Sequence, residues 1–212
     1  MIAAVDEFII FDDMQYTRRD WRNRNQIKTP QGKRWLTVPV KVKGKYHQKI
    51  KDTEIDGTEW TTKHWKTITQ NYLRSPYFKE IAPWLKKLYF AESFCSISSL
   101  NRHFIENICK YLAIETHISN SWDYNLQEGK SERLVDFCVQ AGGTEYISGS
   151  AARNYIDENV FSERGIKLTW FDYTGYPEYP QLWGEFIHGV TILDLLFNCG
   201  KKASRYMRYV HS

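Results

Sequence analysis

The sequence predicts an α/β protein, with a Rossmann-like mixed sheet and a helical insertion at about residues 59–114. Short β-favouring runs alternate with segments of helical spacing, which is the pattern of strands and helices packed in layers. The 212 residues are 42% hydrophobic and 25% charged, so the chain is able to bury a core. We therefore expect a single domain over residues 1–212.

Period-two patterns and apolar runs predict the strands, and recurrences of three or four residues predict the helices. The predicted strands are residues 7–11, 35–42, 50–55, 116–119, 144–148 and 167–173. The predicted helices are three between 59 and 114, broken near 75–76 and 91–93, then 131–140 and 191–198. Pro39 lacks an amide donor, so its strand is expected at an edge or at a bulge. Gly44 predicts a turn.

Several protein classes are excluded or disfavoured by composition. No apolar run approaches the ~20 residues of a membrane-spanning helix, so no integral membrane association is expected. Residues 1–5 carry no secretory signal pattern, which makes the cytoplasm the expected location. The four cysteines form no CxxC pair or Cys/His cluster, so we expect buried free thiols and no metal centre built on them.

The strongest electrostatic feature is a basic segment, residues 18–49, with eleven Lys and Arg and the single acid Asp20. Such a segment attracts phosphates of a nucleotide, a sugar nucleotide, a nucleic acid or an anionic lipid. The alternative is a solvated, lysine-rich hairpin face. Aromatic residues interleave with the basic ones, as in many single-strand binders. They are Tyr16, Trp21, Trp35 and Tyr46. No RNP, KH or helix-turn-helix pattern accompanies them, so nucleic acid is not the expected partner.

Two acids, Asp12 and Asp13, end the first predicted strand and are followed by Gln15 and Tyr16. Carboxylates at a strand end can act as a general base or bind Mg²⁺ together with phosphate oxygens. Acids also end strands simply as caps and turn formers, so the pair does not by itself establish a site. His47 lies inside the basic segment, where it would either meet substrate or be merely exposed.

A second candidate is the small-residue turn Ser148-Gly-Ser-Ala-Ala-Arg153, which follows a predicted strand. Its amides and Arg153 have the character of an anion site. A plain turn capped by Ser150 explains the pattern equally well. Further along, Asp194 stands alone in an apolar helix and needs a buried partner, since an unpaired buried charge is costly. We expect it to brace the preceding loop.

These motifs together resemble the WbqC-like family, in order and over nearly the whole chain. The motifs are Ile10-Phe-Asp-Asp13 with Gln15-Tyr16, Asn23-Arg-Asn25, Trp35-Leu-Thr-Val-Pro-Val40, Tyr146-Ile-Ser-Gly149 with Tyr155, Tyr179-Pro-Gln181, and Ile192-Leu-Asp-Leu-Leu-Phe-Asn-Cys-Gly200. The family resembles bacterial proteins encoded among genes for O-antigen and other surface polysaccharides. The resemblance does not settle the reaction.

One departure concerns the N-terminus. Members of the family usually begin with a further strand, a His-Gln-Pro loop and half a helix, which would precede Met1. The chain is therefore expected to be N-terminally truncated relative to the family. The strand at residues 8–11 would then be left with an unpaired edge.

An analogy of arrangement with HIGH-type nucleotidyl transferases leads to the hypothesis that the protein is a transferase or amide-forming ligase acting on a nucleotide-activated sugar. The expected ligand is ATP or a nucleotide sugar with Mg²⁺, although the sequence does not identify the cofactor. The expected catalytic residues are Asp12, Asp13 and Tyr16. The expected substrate-binding residues are Gln15, Arg22, Asn23, His47, Lys49, Ser148, Gly149, Arg153, Tyr155 and Gln181. The alternative is a non-catalytic binding or scaffolding protein that associates with polysaccharide enzymes.

Overall fold

The computed structural model describes residues 1–91 and 93–210. The strands are β1 (Glu7–Ile10), β2 (Arg24–Thr29), β3 (Gly32–Thr37), β4 (His117–Asn120), β5 (Glu145–Gly149) and β6 (Lys167–Phe171). The helices are α1 (Glu59–Tyr72), α2 (Phe78–Phe90), α3 (Ile97–Tyr111), α4 (Ser131–Gln140), α5 (Glu158–Glu163) and α6 (Ile192–Cys199). None of these helices is long and apolar enough to span a membrane.

The chain divides into two compact units, each with its own hydrophobic core. The first unit comprises residues 1–11 and 115–175, and the second comprises residues 12–114 and 176–210. The second unit contains the helices predicted between residues 59 and 114 together with α6 and the β2–β3 hairpin. The expectation of a single domain stays a prediction.

The first unit consists of two parallel strand pairs with helices. β1 pairs with β4, with Glu7 opposite His117, and β5 pairs with β6, with Glu145 opposite Lys167. Parallel pairs joined through helices are the building blocks of α/β folds, because a parallel connection requires a crossover. The mixed α/β class is confirmed. The Rossmann-like arrangement is not confirmed, since no ladder joins the two pairs in the part of the chain that the structure describes.

The largest difference from the predicted elements is the β2–β3 hairpin. The sequence predicts one strand at residues 35–42, whereas β3 ends at Thr37 and pairs antiparallel with β2. Pro39 lies just beyond the ladder, as its missing amide requires. The strand predicted at residues 50–55 is reduced to isolated bridges, including one between Val40 and Ile55.

The second unit is organised around the buried carboxylate of Asp194, which is 0% exposed. The hydroxyl of Tyr72 donates to its Oδ2 at 2.7 Å, and the hydroxyl of Tyr179 donates to its Oδ1 at 2.8 Å. Gln181 Nε2 donates to the same Oδ1 at 2.8 Å, and Asn198 Nδ2 does so at 3.3 Å. The expected brace is thus confirmed, because α1, α6 and the loop before α6 all meet at one carboxylate.

The network extends to the hairpin through a buried lysine. The ammonium of Lys28, on β2, donates to Gln181 Oε1 at 2.7 Å and to the carbonyl of Glu185. Gln181 therefore connects a buried cation with the buried Asp194 anion through the two ends of one amide. Burial and the adjacent Asp194 carboxylate raise the pKa values of Tyr72 and Tyr179, so both phenols remain hydrogen-bond donors at all ordinary pH values.

We expect Asp194→Ala to destabilise the second unit by about 3–5 kcal/mol, because the buried donors around it lose their shared acceptor. The measurement is urea unfolding followed by circular dichroism. Asp56→Ala is the matched control, since Asp56 is exposed and its removal should change stability by less than about 0.5 kcal/mol. Equal stability of the two variants would contradict the bracing role.

Candidate functional site

The candidate site is built on a backbone segment that runs from Asp12 to Tyr16 at the start of the second unit. Three main-chain hydrogen bonds join it to residues 48–51: Lys51 N to Asp12 O at 3.0 Å, Ile50 N to Met14 O at 2.9 Å, and Tyr16 N to Gln48 O at 2.9 Å. These bonds hold Asp12 and Tyr16 at defined positions on the same segment.

The Asp12 carboxyl is the most unusual group in this segment. It is only 9% exposed, and its Oδ2 has no hydrogen-bond partner among the described residues. Burial raises the pKa of Asp12, the hydrogen bond from Ser98 and the Arg22 guanidinium lower it, and Asp13 raises it slightly. A buried carboxyl with a raised pKa and an unused oxygen is typical of a general base awaiting substrate.

Helix α3 positions the groups around Asp12. Ser98 lies in its first turn, where its hydroxyl is near enough to the Asp12 carboxyl to lower the pKa of that carboxyl. Asn101, one turn later on the same face, donates from Nδ2 to the carbonyl of Arg22 at 2.9 Å. The Arg22 guanidinium pairs with Asp20 and donates to the Thr17 hydroxyl at 3.2 Å. We call Asp12, Ser98, Arg22 and Asn101 the Asp12–Arg22 site.

Tyr16 lies in the same electrostatic environment. Its ring is buried, and burial raises the pKa of its phenol, while the guanidinium groups of Arg18, Arg24 and Arg22 lower that pKa. The phenol is therefore close to three cations as well as to Asp20, which raises its pKa. Three arginines around one hydroxyl suit the binding of a phosphate-bearing ligand.

An exposed aromatic pair stands next to these arginines. The rings of Trp21 and Trp35 lie 4.8 Å apart at 55°, and the Arg24 guanidinium lies 4.1 Å over the Trp35 ring. Trp21 is 60% exposed, which is unusual because tryptophan, the largest apolar residue type, is highly buried on average. Exposed indoles beside cations provide a stacking surface for a base or a sugar ring.

Asp13 has different surroundings from Asp12. Its Oδ1 pairs with the ammonium groups of Lys51 at 2.8 Å and Lys49 at 3.3 Å, both from the opposing segment. No group of three or more His, Cys, Asp or Glu side chains within residues 1–91 and 93–210 is arranged to hold a metal ion. The catalytic role expected for Asp13 stays a prediction, and its ion pairs favour a structural role.

Other basic residues of the segment are also paired. Lys41 and Lys45 both bind Glu54, at 2.8 and 2.5 Å, and together they lower the Glu54 pKa to about 2. Glu54, which follows the basic segment along the chain, thus neutralises part of its charge. The arginines near Tyr16, rather than the lysines, remain the better phosphate ligands because their planar donors match phosphate geometry.

The remaining predicted residues of the second unit have internal contacts. Gln15 Nε2 donates to the carbonyl of Tyr46 at 2.8 Å, and the His47 ring packs edge-on to the Tyr46 ring at 4.9 Å. Asn23 is buried and donates from Nδ2 to the Val38 carbonyl at 2.8 Å, which secures the end of the hairpin. Gln181 belongs to the Asp194 network. These contacts neither support nor contradict substrate binding by these four residues, which stays a prediction.

Four predicted residues, Ser148, Gly149, Arg153 and Tyr155, lie in the first unit. Gly149 ends β5, and a 3₁₀ turn at Ser150–Asn154 follows it without a side-chain cap. The Arg153 guanidinium lies 5.1 Å over the Trp170 ring. The capping role considered for Ser150 is therefore not observed, whereas an anion at this turn remains a prediction.

Sequence reasoning missed Ser98 and Asn101. Their spacing of three residues is visible in the sequence, but polar residues at that spacing are ordinary on helices. Their role depends on Asp12 and Arg22, which are far from them along the chain.

Comparison with known proteins identifies the family. The model of the WbqC-like protein family matches residues 1–206. An uncharacterized protein of Mycobacterium tuberculosis is 57% identical over 209 residues, which are 99% of this chain and 90% of that protein. No solved structure matches the chain. The expected resemblance is confirmed, and the chain belongs to the WbqC-like family.

Proposed function

We propose that the protein is a transferase or ligase of surface-polysaccharide biosynthesis, acting on a nucleotide-activated sugar at the Asp12–Arg22 site. The observation that carries the proposal is the buried Asp12 oxygen without a partner among the described residues, next to Arg22. The family's resemblance to proteins of polysaccharide gene clusters supports the substrate class.

The proposed reaction uses the carboxylate of Asp12 and the guanidinium groups near it. A sugar hydroxyl or amine attacks the activated carbon of the donor, and its proton passes to the Asp12 carboxylate as the new bond forms. The bond to the phosphate leaving group breaks, and its negative charge is stabilised by Arg22 and the arginines beside Tyr16. The exposed Trp21 and Trp35 rings offer a surface for the base or sugar of the donor.

The first experiment identifies the donor. Thermal shift with ATP and Mg²⁺, and with a panel of nucleotide sugars, should raise the melting temperature with one nucleotide class. A ligand at 100 times its Kd adds roughly 2.7 kcal/mol of stability. Binding to single-stranded oligonucleotides alone, with a steep dependence on salt, would instead favour a nucleic-acid-binding role.

Asp12→Asn should lower turnover by about 10²–10⁴-fold, because the variant has no general base. The ligand-induced thermal shift should persist, since the arginines are unchanged. Release of nucleotide from the donor measures turnover, and Asp56→Asn is the matched surface control. Unchanged turnover in Asp12→Asn would overturn the catalytic role, and binding without any turnover in the wild type would support a binding or scaffolding protein.

Because the pKa of Asp12 is raised, we expect the activity to depend on pH. Activity should fall as the pH drops through that pKa, above the ordinary aspartate value of about 3.9, because the base becomes protonated. Ser98→Ala removes the hydroxyl that lowers the pKa of Asp12, so the acidic limb of kcat/KM should move to higher pH. Ser99→Ala, exposed on the same helix, should leave the limb in place.

Ionisation of Asp12, which activity requires, should lower the stability of the folded protein. A carboxyl whose folded-state pKa lies above its unfolded value is protonated more readily in the folded state, so its ionisation costs stability at neutral pH. Asp12→Asn should therefore be no less stable than the wild type at pH 7. Any advantage of the variant should vanish below about pH 3.9, where Asp12 is protonated in both states. Thermal unfolding across this range is the measurement.

Trp21→Ala should weaken binding of the nucleotide-activated sugar by roughly 1–3 kcal/mol, or about five- to 150-fold, if a base stacks there. Trp122→Ala is the control, because Trp122 is 43% exposed and lies in the other unit. Isothermal titration calorimetry measures both affinities. Equal affinities for the two variants would show that Trp21 is not part of the binding surface, and would leave the proposed role of Asp12 unaffected.

A further inference from the structure

Two buried side chains carry oxygens without hydrogen-bond partners, one in the Asp12–Arg22 site and one directly after Arg22 in the chain. Asp12 is 9% exposed and Asn23 is 7% exposed, and neither Asp12 Oδ2 nor Asn23 Oδ1 has a partner among the described residues. A buried acceptor without a donor costs stability, so such atoms are rare unless water or a ligand supplies the donor. Two of them in one region indicate what kind of ligand group fits there.

The surroundings of Asn23 fix the orientation of its side-chain amide. Asn23 Nδ2 donates to the carbonyl of Val38 at 2.8 Å, and the main-chain amide of Val38 donates to the carbonyl of Asn23 at 2.8 Å. Exchange of the side-chain nitrogen and oxygen would bring two oxygens together, because only the nitrogen can donate to a carbonyl. The atom of Asn23 without a partner is therefore an acceptor, as it is in Asp12.

Helix α3 places Asn23 in the neighbourhood of Asp12. Asn101 Nδ2 donates at 2.9 Å to the carbonyl of Arg22, which forms the peptide bond to Asn23. Ser98, one turn earlier on the same helix face, lies near the Asp12 carboxyl and lowers its pKa. Neighbouring positions on one helix face thus reach both Asp12 and the peptide bond that precedes Asn23.

A third buried oxygen without a partner lies beside Tyr16. The bridge between Gln15 and Lys49 places Gln48 opposite Tyr16, so these two side chains share one face of the paired segments. Gln48 Nε2 donates to the carbonyl of Lys41 at 3.0 Å, whereas Gln48 Oε1 has no partner among the described residues. The bond to a carbonyl again identifies the nitrogen, so the atom without a partner is an acceptor. Three acceptors in this region therefore await donors.

A buried donor without a partner is also present, and it belongs to an arginine. Arg24 Nε has no partner among the described residues, and the Arg24 guanidinium lies close enough to the Tyr16 phenol to lower its pKa. Arginine donors suit the phosphate of a nucleotide-activated sugar, because their planar geometry matches that of phosphate. The oxygens of Asp12 and Asn23 instead suit a group that donates hydrogen bonds, and such a group belongs to the second substrate.

We propose that the second substrate is an amino sugar, which presents a primary amine to Asp12 Oδ2 and Asn23 Oδ1. This inference rests on the proposed function and specifies its acceptor substrate. A neutral primary amine has two N–H donors and one lone pair, whereas a hydroxyl has one donor and two lone pairs. An amine therefore satisfies both oxygens and keeps its lone pair for attack, whereas a hydroxyl leaves one oxygen without a donor.

The reaction needs no group beyond the two substrates and Asp12. The lone pair of the amine forms a bond to the activated carbon of the nucleotide-activated sugar. The bond from that carbon to the phosphate oxygen breaks, and its electron pair leaves with the phosphate, whose charge the arginines stabilise. The nitrogen passes one proton to the Asp12 carboxylate. The product is therefore joined through nitrogen.

The test varies the ligand, because Asn23 also secures the hairpin and its substitution would alter the fold. Isothermal titration calorimetry compares methyl glucoside and methyl galactoside with derivatives in which an amino group replaces one hydroxyl at a time. At least one amino sugar should bind at least about tenfold more tightly than its parent, because the parent leaves a buried acceptor without a donor. The N-acetyl derivative of that amino sugar is the matched control, and it should lose the gain because acetylation removes one N–H.

Asp12→Asn tests the same preference from the side of the protein. The amide carries no charge, so the preference for the amino sugar should fall to within about threefold. Asp56→Asn, at an exposed position, should keep the full preference. Equal binding of amino and parent sugars by the wild type, or an unchanged preference in Asp12→Asn, would overturn the inference.

Thermal shift with nucleotide sugars on the same samples separates this inference from the proposed function. A nucleotide sugar that binds to a protein without any preference for amines would overturn the inference and leave the proposed function in place. A preference for amines that depends on Asp12, in a protein that binds no nucleotide, would support the amine site and contradict the proposed function.

Discussion

The buried carboxylate of Asp194 is the interaction on which the second unit depends. It is removed from water, and the cost of burying its charge is offset by hydrogen bonds from Tyr72, Tyr179, Gln181 and Asn198. These donors come from α1, α6 and the loop before α6, so one anion fixes the relative positions of three segments. Through Gln181 the network also reaches Lys28 on β2, which positions the hairpin that begins beside the candidate site.

The candidate site shows the opposite arrangement. Asp194 accepts hydrogen bonds from four side chains, whereas Asp12, which is also buried, keeps an oxygen without a partner among the described residues. Such a carboxyl lowers stability at neutral pH, which is typical of a group retained for function rather than for folding. Its neighbour Asp13 illustrates the contrast, because two lysines neutralise it. Adjacent acids of identical type thus differ in environment, through burial and partners.

Much of the fold could be predicted from local pattern. The three helices between residues 59 and 114, α4, α6 and the parallel strands appear close to their expected positions because their apolar spacing is regular. β2 was missed because Arg24–Thr29 is mostly polar, and its burial of Lys28 and Thr29 depends on partners distant in sequence. The strand predicted at residues 50–55 is wrong for the converse reason. The local pattern there favours a strand, but in the structure these residues form only isolated bridges.

The sequence by itself determined the family, the α/β class, the basic segment and the need of Asp194 for buried partners, because each depends on residue type and local order. Only the tertiary structure decided which acid of the Asp12–Asp13 pair is buried and which lysines are neutralised. It also brought Ser98 and Asn101 to Asp12 and Arg22. These features arise from contacts between segments far apart in the chain, and desolvation and pairing energies exist only once those contacts form.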